Sequence, residues 1–436
     1  MSPAIDPSLG RREFLKAAVA LGGTSALSAC LDRIDGAEPV PKGVDDPATL
    51  SERQYAWNDR LPTDEHGNVV LPRHQTLWYL TLDGNGPPGA DDRDAVEAAL
   101  STLDRAYERS NEGLIHSVAY SPSYFERFDD PLPDTVDLPQ PRALSAFENP
   151  DFDTQDALLH LASDRPDVLL EAEEALKGEV ETANGVAVET ALTDVLSLDD
   201  RRTGFVGKGM PHRKASETQL SGIPEGNPIP KDAPLFMGFV AGFRQNQATE
   251  DYVAIRSGPF ADGTTKHVSN LRQRLQDWYV EQDHRERVME MFSPTHAERG
   301  MIPEGSIGEN LGDFSGVTEE IVDRIEEDAL EFGRVGHAQK AARANRDADG
   351  NVKLLRRHFE STDDDAASLH FPSLQRGISD FEAVREAMNG ADLTKVTPAI
   401  RQRVNNGILE YIFVDHRGNF LVPPRGLRAL PPANPD

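Results

Sequence analysis

Residues 334–359, RVGHAQKAARANRDADGNVKLLRRHF, contain the side chains whose types and spacing are most suggestive of chemistry. His337 stands near the start of this segment, and Arg356 follows 19 residues later (356 − 337), after a turn-like stretch. A neutral imidazole can bind a metal ion, and a guanidinium keeps its charge at physiological pH. A single histidine is equally compatible with a packed or helix-capping role, so the role of His337 depends on its surroundings.

Several familiar catalytic motifs are absent from the sequence. It contains no G-x-S-x-G elbow, no G-x-x-x-x-G-K-[ST] phosphate loop and no H-E-x-x-H zinc motif. The stretch that opens at Asp347 resembles the start of a calcium-binding loop, but Val352 and His358 stand where that loop needs glycine and glutamate. The stretch is therefore predicted to be a solvated turn.

The amino terminus has the pattern of an export signal. Arg11 and Arg12 precede an apolar run over residues 17–29, which is too short to cross a membrane. Paired arginines favour the twin-arginine route, which exports folded proteins. The sequence LSAC, ending at Cys30, resembles a lipoprotein cleavage box. Residues 1–30 are predicted to be a signal peptide, with Cys30 lipidated at the outer face of the cell membrane; the alternative is cleavage near Ala29 and secretion without Cys30.

Acidic residues dominate the composition. The chain has 74 Asp and Glu against 45 Lys and Arg, which gives a formal net charge of −29. This charge disfavours nucleic acid as a partner. It is similar to the solvated surface of a protein from a salt-loving organism, and an ordinary acidic protein is the alternative. Cys30 is the only cysteine, so intramolecular disulfides and cysteine-based metal clusters are excluded.

The chain is predicted to contain an amino-terminal half at residues 73–190. Residues 31–72 lack periodicity and are predicted to be a tether followed by a wrapping segment. The predicted elements of this half are a strand at 74–84, a helix with Val96, Ala99, Leu103 and Tyr107 on one face, strands within 113–128 and at 156–164, and a helix at 166–178. This order fits both a parallel layered sheet and a ferredoxin-like unit.

Residues 191–232 are predicted to be a linker or insertion, and residues 233–430 a second half of similar design. Its predicted elements are a strand at 234–243, a helix with Val268, Leu271, Leu275 and Trp278 on one face, a strand at 368–376, a helix from Ser379 to Gly390, and two strand-like runs around a turn at Arg417 and Gly418. Two similar α+β halves are the simplest interpretation.

The second half resembles the dye-decolourising (DyP-type) haem peroxidases. The resemblance rests on four stretches in the order and at about the spacings of that family: GPFADGTTKHVSNLRQRLQDWY, GHAQKAARANRDADGNVKLLRRHF, SLHFPSLQRGISDFEAVREAM and YIFVDHRGNFLVPP. In the first half, YSPSYFERF and DALLHLASDRPDVLLEAEEAL are similar to the same family. The resemblance implies a fold of two ferredoxin-like halves.

The resemblance also implies a haem b cofactor. By this resemblance His337 is the ligand of the haem iron, and Arg356, the first arginine of the L-R-R motif, lies on the distal side. An imidazole that donates a lone pair to iron and a guanidinium that stabilises negative charge on a peroxide oxygen would suit these roles.

The resemblance fails at the family's distal aspartate. In the best register of the G-x-x-D-G motif, GFVAG at residues 238–242, Ala241 stands where the aspartate belongs. A second register places Gln245 there, and glutamine cannot take up a proton. His358 is either a substitute base or a supporting residue. Loss of a general base typically lowers a rate about 10²- to 10⁴-fold.

Three functions therefore remain open from the sequence. The first is an exported haem-dependent peroxidase-like oxidoreductase that uses hydrogen peroxide and an unknown organic donor. The second is a haem-binding lipoprotein with weak or no peroxidase activity, because the distal aspartate is missing. The third is a solute-binding lipoprotein without haem, against which the His337 segment argues. The oligomeric state is left open, and a homo-oligomer is compatible with the sequence.

Overall fold

A computed structural model describes residues 39–217, 220–312 and 316–435. The predicted signal peptide and Cys30 lie outside the described residues. None of the described helices is both long and apolar enough to span a membrane. The described residues form twelve strands and twelve α-helices, joined by short 3-10 turns.

The strands are β1 (His74–Leu82), β2 (Ile115–Tyr120), β3 (Asp151–Phe152), β4 (Ala157–Ser163), β5 (Thr182–Ala183), β6 (Val186–Ala187), β7 (Leu196–Phe205), β8 (Thr264–Gln273), β9 (Leu355–Arg356), β10 (Phe359–Ser361), β11 (Ser368–Gln375) and β12 (Ile412–Val422). The helices are α1 (Ala90–Ala106), α2 (Pro122–Phe125), α3 (Pro166–Leu176), α4 (Met210–Glu217), α5 (Leu275–Val280), α6 (His284–Met291), α7 (Pro294–Glu298), α8 (Glu319–Asp323), α9 (Ile325–Phe332), α10 (His337–Ala344), α11 (Ile378–Ala387) and α12 (Leu393–Val396).

Each half is a ferredoxin-like unit, which confirms the predicted fold class. In the first half the strand order is β7-β1-β4-β2, with antiparallel neighbours, and α1 and α3 are the two connecting helices. In the second half the order is β12-β8-β11-β9, and β10 also pairs with β11. The alternative of a parallel layered sheet is excluded.

The two sheets join edge to edge into one ring of strands. β2 meets β12 at Tyr120 and Leu421, and β7 meets β10 at Phe205 and Glu360, so each junction consists of a single residue pair. Because consecutive strand residues face opposite sides of a sheet, β1 has one face on the helices and one face toward the ring interior. Both faces are buried, which explains the continuous apolar run at residues 77–80.

One predicted boundary is wrong. β7 lies inside the predicted linker of residues 191–232, yet it pairs with β1 along nearly the whole strand, from His74 opposite Phe205 to Leu82 opposite Leu196. Its sequence, LSLDDRRTGF, has few apolar residues. Hydrogen bonding to β1 stabilises it as a strand, and such pairing between distant segments leaves little mark on apolar periodicity.

Three predicted elements of the second half also differ from the structure. Residues 264–273 form β8 rather than a helix, because they pair with β11 and β12 on both sides, and only residues 275–280 are helical. Residues 234–243 form no strand; Gly238 and Gly242 have φ of +87° and +83°, which turns the chain out of the extended form. The two predicted strands around Gly418 are one strand, β12, with an irregularity between Val414 and His416.

The segment before β1 wraps along the folded chain. Tyr55 and Trp57 are buried, and the Gln54 amide donates to the carbonyl oxygen of Pro423, 2.8 Å away, close to the end of β12. The chain between β8 and β9 is a long excursion that contains α5 to α10. The last of these helices begins at His337 and carries it toward the sheet.

Candidate functional site

A small cavity of about 170 Å³ lies in the second half, among α10, β8, β11 and the loop around residues 237–246. Its wall is mainly apolar and includes Leu271, Phe292 and Phe371. It adjoins a larger cleft of about 830 Å³. The residues that line both spaces, here called the junction, are Leu235, Val240, Ala241, Gly242, Arg356, His358 and Glu360.

His337 lines the small cavity from the first turn of α10. The backbone fixes this position tightly, since a Cβ on the preceding Gly336 would lie 1.9 Å from the carbonyl oxygen of Phe292. Burial, followed by the charges of Lys340 and Arg356, lowers the pKa of His337 to about 3. The imidazole is therefore neutral at physiological pH, and no other described residue forms a hydrogen bond with its ring, so a lone pair is available to a metal.

Arg356 in β9 lines both the small cavity and the cleft. Its Nη2 donates to the carbonyl oxygen of Asn246, 3.0 Å away, while its Nε has no hydrogen-bond partner among the described residues. Burial lowers the pKa of Arg356 to about 10, which leaves the guanidinium charged at neutral pH. No described carboxylate forms an ion pair with it. A buried cation in this state favours a ligand that carries negative charge.

His358 stands two residues beyond Arg356 and lies at the junction. Its ring stacks on Phe371 with centroids 6.2 Å apart, and its Nδ1 has no partner among the described residues. Burial, with a contribution from Arg356, lowers the pKa of His358 to about 3. It is therefore neutral, and a group whose conjugate acid is this strong is a weak base at pH 7.

The two positions proposed for the missing aspartate are placed differently. Ala241 lies at the junction, beside Gly242. Gln245 lies in the short turn Arg244–Asn246, is exposed, and lines neither the small cavity nor the cleft among the described residues. The 3-10 turn places Asn246, not Gln245, in the wall of the small cavity, so the structure does not bring Gln245 to the site.

Comparison with known proteins identifies the family. Residues 72–424 match the family described as a family of unknown function, DUF7405. The chain belongs to the DUF7405 family. No curated protein sequence matches it.

Solved structures relate the DUF7405 fold to DyP-type peroxidases. The encapsulated DyP-type peroxidase of Mycobacterium smegmatis is 16% identical, with a TM-score of 0.51 over 86% of this chain and 100% of that one. DtpA from Streptomyces lividans is 18% identical, with a TM-score of 0.49 over 81% and 90% of the two chains. The dye-decolorizing protein from V. cholerae is 15% identical, with a TM-score of 0.47 over 84% and 96%. The resemblance to DyP-type peroxidases is thus confirmed for the fold.

Glu360 is a polar residue of the DUF7405 site that the sequence analysis missed. It is buried at the junction, where it accepts hydrogen bonds from the Phe236 backbone N–H at 2.8 Å and the Gln273 amide at 2.6 Å. Burial raises the pKa of Glu360 to about 8. The signal in the sequence is the alternation of Arg356, His358 and Glu360, which places all three on one side of an extended segment.

The residues of this DUF7405 site fit a haem. His337 offers a neutral nitrogen donor, the wall is mainly apolar, and Arg346, an exposed cation in that wall, can offset the negative charge of haem propionates. The unpartnered Nε of Arg356 is a donor that a bound group would satisfy. The small cavity alone is below the range of ~300–1,000 Å³ typical of ligand sites, whereas the adjoining cleft lies within it.

Proposed function

We propose that this DUF7405 protein binds haem b and is a peroxidase-like oxidoreductase that reduces hydrogen peroxide with electrons from an organic donor. One observation carries the proposal: a neutral histidine, His337, and a charged arginine without a counter-ion, Arg356, line the same apolar cavity. The DyP-type fold supports it. In the overall reaction hydrogen peroxide takes up two electrons and two protons and leaves as two water molecules.

The residues of the site have separate tasks. His337 would hold the haem through its unprotonated ring nitrogen, and Arg356 would bind and orient peroxide and stabilise negative charge on its oxygen. The haem, when bound, supplies the iron that exchanges electrons with peroxide and donor. The organic donor would enter the cleft, whose wall includes Arg357 stacked over Trp57, with the guanidinium carbon 4.2 Å from the ring centroid.

A second candidate function is haem binding with weak or no peroxidase activity. Ala241 favours it, because this position at the junction offers no group that takes up a proton. Peroxide turnover by haem-loaded protein separates the two candidates. A solute-binding lipoprotein without haem remains the third, and the absence of a haem spectrum would support it.

Haem uptake by the purified protein tests the proposal. Wild-type protein supplied with haem should show a Soret band, and His337→Ala should abolish it or shift it strongly, because no cysteine is available nearby as a replacement ligand. His66→Ala is the matched control, since this histidine is exposed and lines neither the small cavity nor the cleft. Arg356→Leu should retain haem and lose peroxide turnover. A Soret band that survives His337→Ala unchanged contradicts the assignment of the ligand.

We also infer that the protein is exported by the twin-arginine route and anchored by a lipid on Cys30. Arg11, Arg12 and the LSAC sequence support this inference. A Cys30→Ser chain that still fractionates with membranes at high salt would contradict the anchor.

A further inference from the structure

Glu360 is the one carboxylate in the wall of the small cavity among the described residues. It also lines the cleft, so its side chain stands where the two spaces meet, beside Arg356 and His358. The backbone of Glu360 belongs to the ring of strands, because residue 360 pairs with Phe205 of β7 and Leu369 of β11. Hydrogen bonds from Phe236 and Gln273 then orient its carboxyl group.

No positively charged side chain among the described residues compensates the charge of an ionised Glu360. Its two hydrogen bonds come from uncharged donors, the Phe236 backbone and the Gln273 amide, and no described lysine or arginine pairs with it. A buried carboxylate without a cation is costly. The group therefore favours its protonated form, while each of its oxygens keeps a lone pair for a further hydrogen bond.

The neighbouring titratable groups do not compete with Glu360 for this role. On its own side of the extended segment, His358 has a pKa of about 3 and Arg356 a pKa of about 10. From α5, Tyr279 lies within electrostatic reach, and burial raises its pKa well above the usual value, so it stays neutral. Of the ionisable groups at the junction, only Glu360 changes its protonation near neutral pH.

We propose that Glu360 carries the proton at this site: its protonated carboxyl group donates its proton to one oxygen of a molecule bound at the junction beside Arg356 and takes a proton back from another O–H group of that molecule. The carboxyl group ends as it began, and no other bond of the protein changes. The inference rests on the proposed function for the identity of the bound molecule, hydrogen peroxide. It replaces His358 and Gln245, the residues considered from the sequence, as the proton-carrying group.

The first arm of the test uses the protein without haem. The pKa of Glu360 is raised from 4.5 to about 8, so the folded chain holds a proton that the unfolded chain releases, and stability falls as pH rises through this window. Glu360→Gln removes this dependence. Between pH 5 and 8 the unfolding constant of the wild type should increase, relative to that of Glu360→Gln, by about tenfold or more. Chemical denaturation at each pH measures it.

Glu290→Gln is the matched control. Glu290 is also buried, and burial raises its pKa to about 8, yet it lines neither the small cavity nor the cleft. This variant should also flatten the dependence of stability on pH. The proposal would be overturned if the unfolding constant of Glu360→Gln depended on pH in the same way as that of the wild type, while that of Glu290→Gln did not.

The second arm uses haem-loaded protein. Glu360→Gln should keep the Soret band and lose peroxide consumption by about 10²- to 10⁴-fold, as expected for loss of a proton-transfer group, whereas Glu290→Gln should keep both. Full peroxide consumption by Glu360→Gln would overturn the proton-carrying role. A wild-type protein that takes up no haem would overturn the proposed function instead, and the first arm would still decide whether Glu360 holds a proton at neutral pH.

Discussion

At the residue scale, burial sets the charge of each polar group in the site. His337 and His358 are neutral and Arg356 stays charged, although all three lie in one largely apolar region. Desolvation disfavours the charged form of every group, but the guanidinium starts from a pKa high enough to keep its proton. The result is one cation beside two neutral imidazoles, which suits a neutral nitrogen ligand and an oxygen that gains negative charge.

A carboxylate at position 241 should increase peroxide turnover. Ala241→Asp adds a group that can take up a proton to the wall shared by the small cavity and the cleft. We expect kcat/KM for hydrogen peroxide to rise, up to about 10²-fold, because a positioned general base contributes on this scale. Steady-state peroxide consumption by haem-loaded protein measures the change.

Ala241→Asn is the control for this substitution, since the amide has the same shape and cannot take up a proton. An increase in Ala241→Asp alone assigns the effect to proton transfer. Equal rates in the two variants and the wild type would mean that the site does not use a carboxylate at position 241.

At the element scale, two close backbone contacts fix the start of α10 and with it His337. A Cβ on Gly336 would lie 1.9 Å from the carbonyl oxygen of Phe292, and a Cβ on Gly407 would lie 2.9 Å from the backbone nitrogen of His337. Neither neighbour is the flexible end of a side chain. The helix start is therefore positioned by backbone packing on two sides.

Gly336→Ala should disturb this position. The added methyl group must displace the backbone of Phe292 or of α10, so we expect the free energy of unfolding to fall by about 1–3 kcal/mol and haem to bind more weakly. Denaturant titration and haem titration measure the two effects. Gly86→Ala is the control, because a Cβ on Gly86 meets no atom within 4 Å. Unchanged haem affinity in Gly336→Ala would show that the ligand does not depend on this packing.

At the scale of the whole molecule, the first half closes the ring of strands, while the second half contains the small cavity. The sheet of the first half completes the ring through Tyr120 and Phe205, and the small cavity lies wholly in the second half. Buried ion pairs also connect the carboxyl-terminal segment to α1. Asp104 of α1 accepts from Arg425 at 3.0 Å and from Arg428 at 2.5 Å, which holds the carboxyl-terminal segment on the first half.

The net charge of −29 should make stability depend on salt. At about 0.01 M ionic strength, charges interact over roughly 30 Å, so repulsion among the acidic residues is barely screened. We expect Tm to rise steadily as KCl increases from this concentration to about 1 M. A neutral osmolyte at matched osmolality is the control for effects other than screening. A constant Tm across the salt series would remove the analogy with proteins of salt-loving organisms.

Several features were determined by the sequence alone. The apolar run within β1 and the helical spacing in α1 and α3 follow from local patterns of apolar residues. The ferredoxin-like design of the two halves was implied by the family resemblance, since the local patterns also fitted a parallel layered sheet. The residue types of His337 and Arg356, and the lack of a carboxylate at position 241, are likewise properties of single positions. These features are local, so a linear sequence contains them.

The rest was decided by the tertiary structure. Residues 264–273 have helical spacing but form β8, because strands on both sides offer hydrogen bonds that outweigh a local preference. Glu360 has no distinguishing local motif; its raised pKa and its position at the junction arise from burial among residues distant in sequence, including Phe236 and Gln273. Strand pairing and desolvation both depend on contacts through space, and such contacts exist only once the chain has folded.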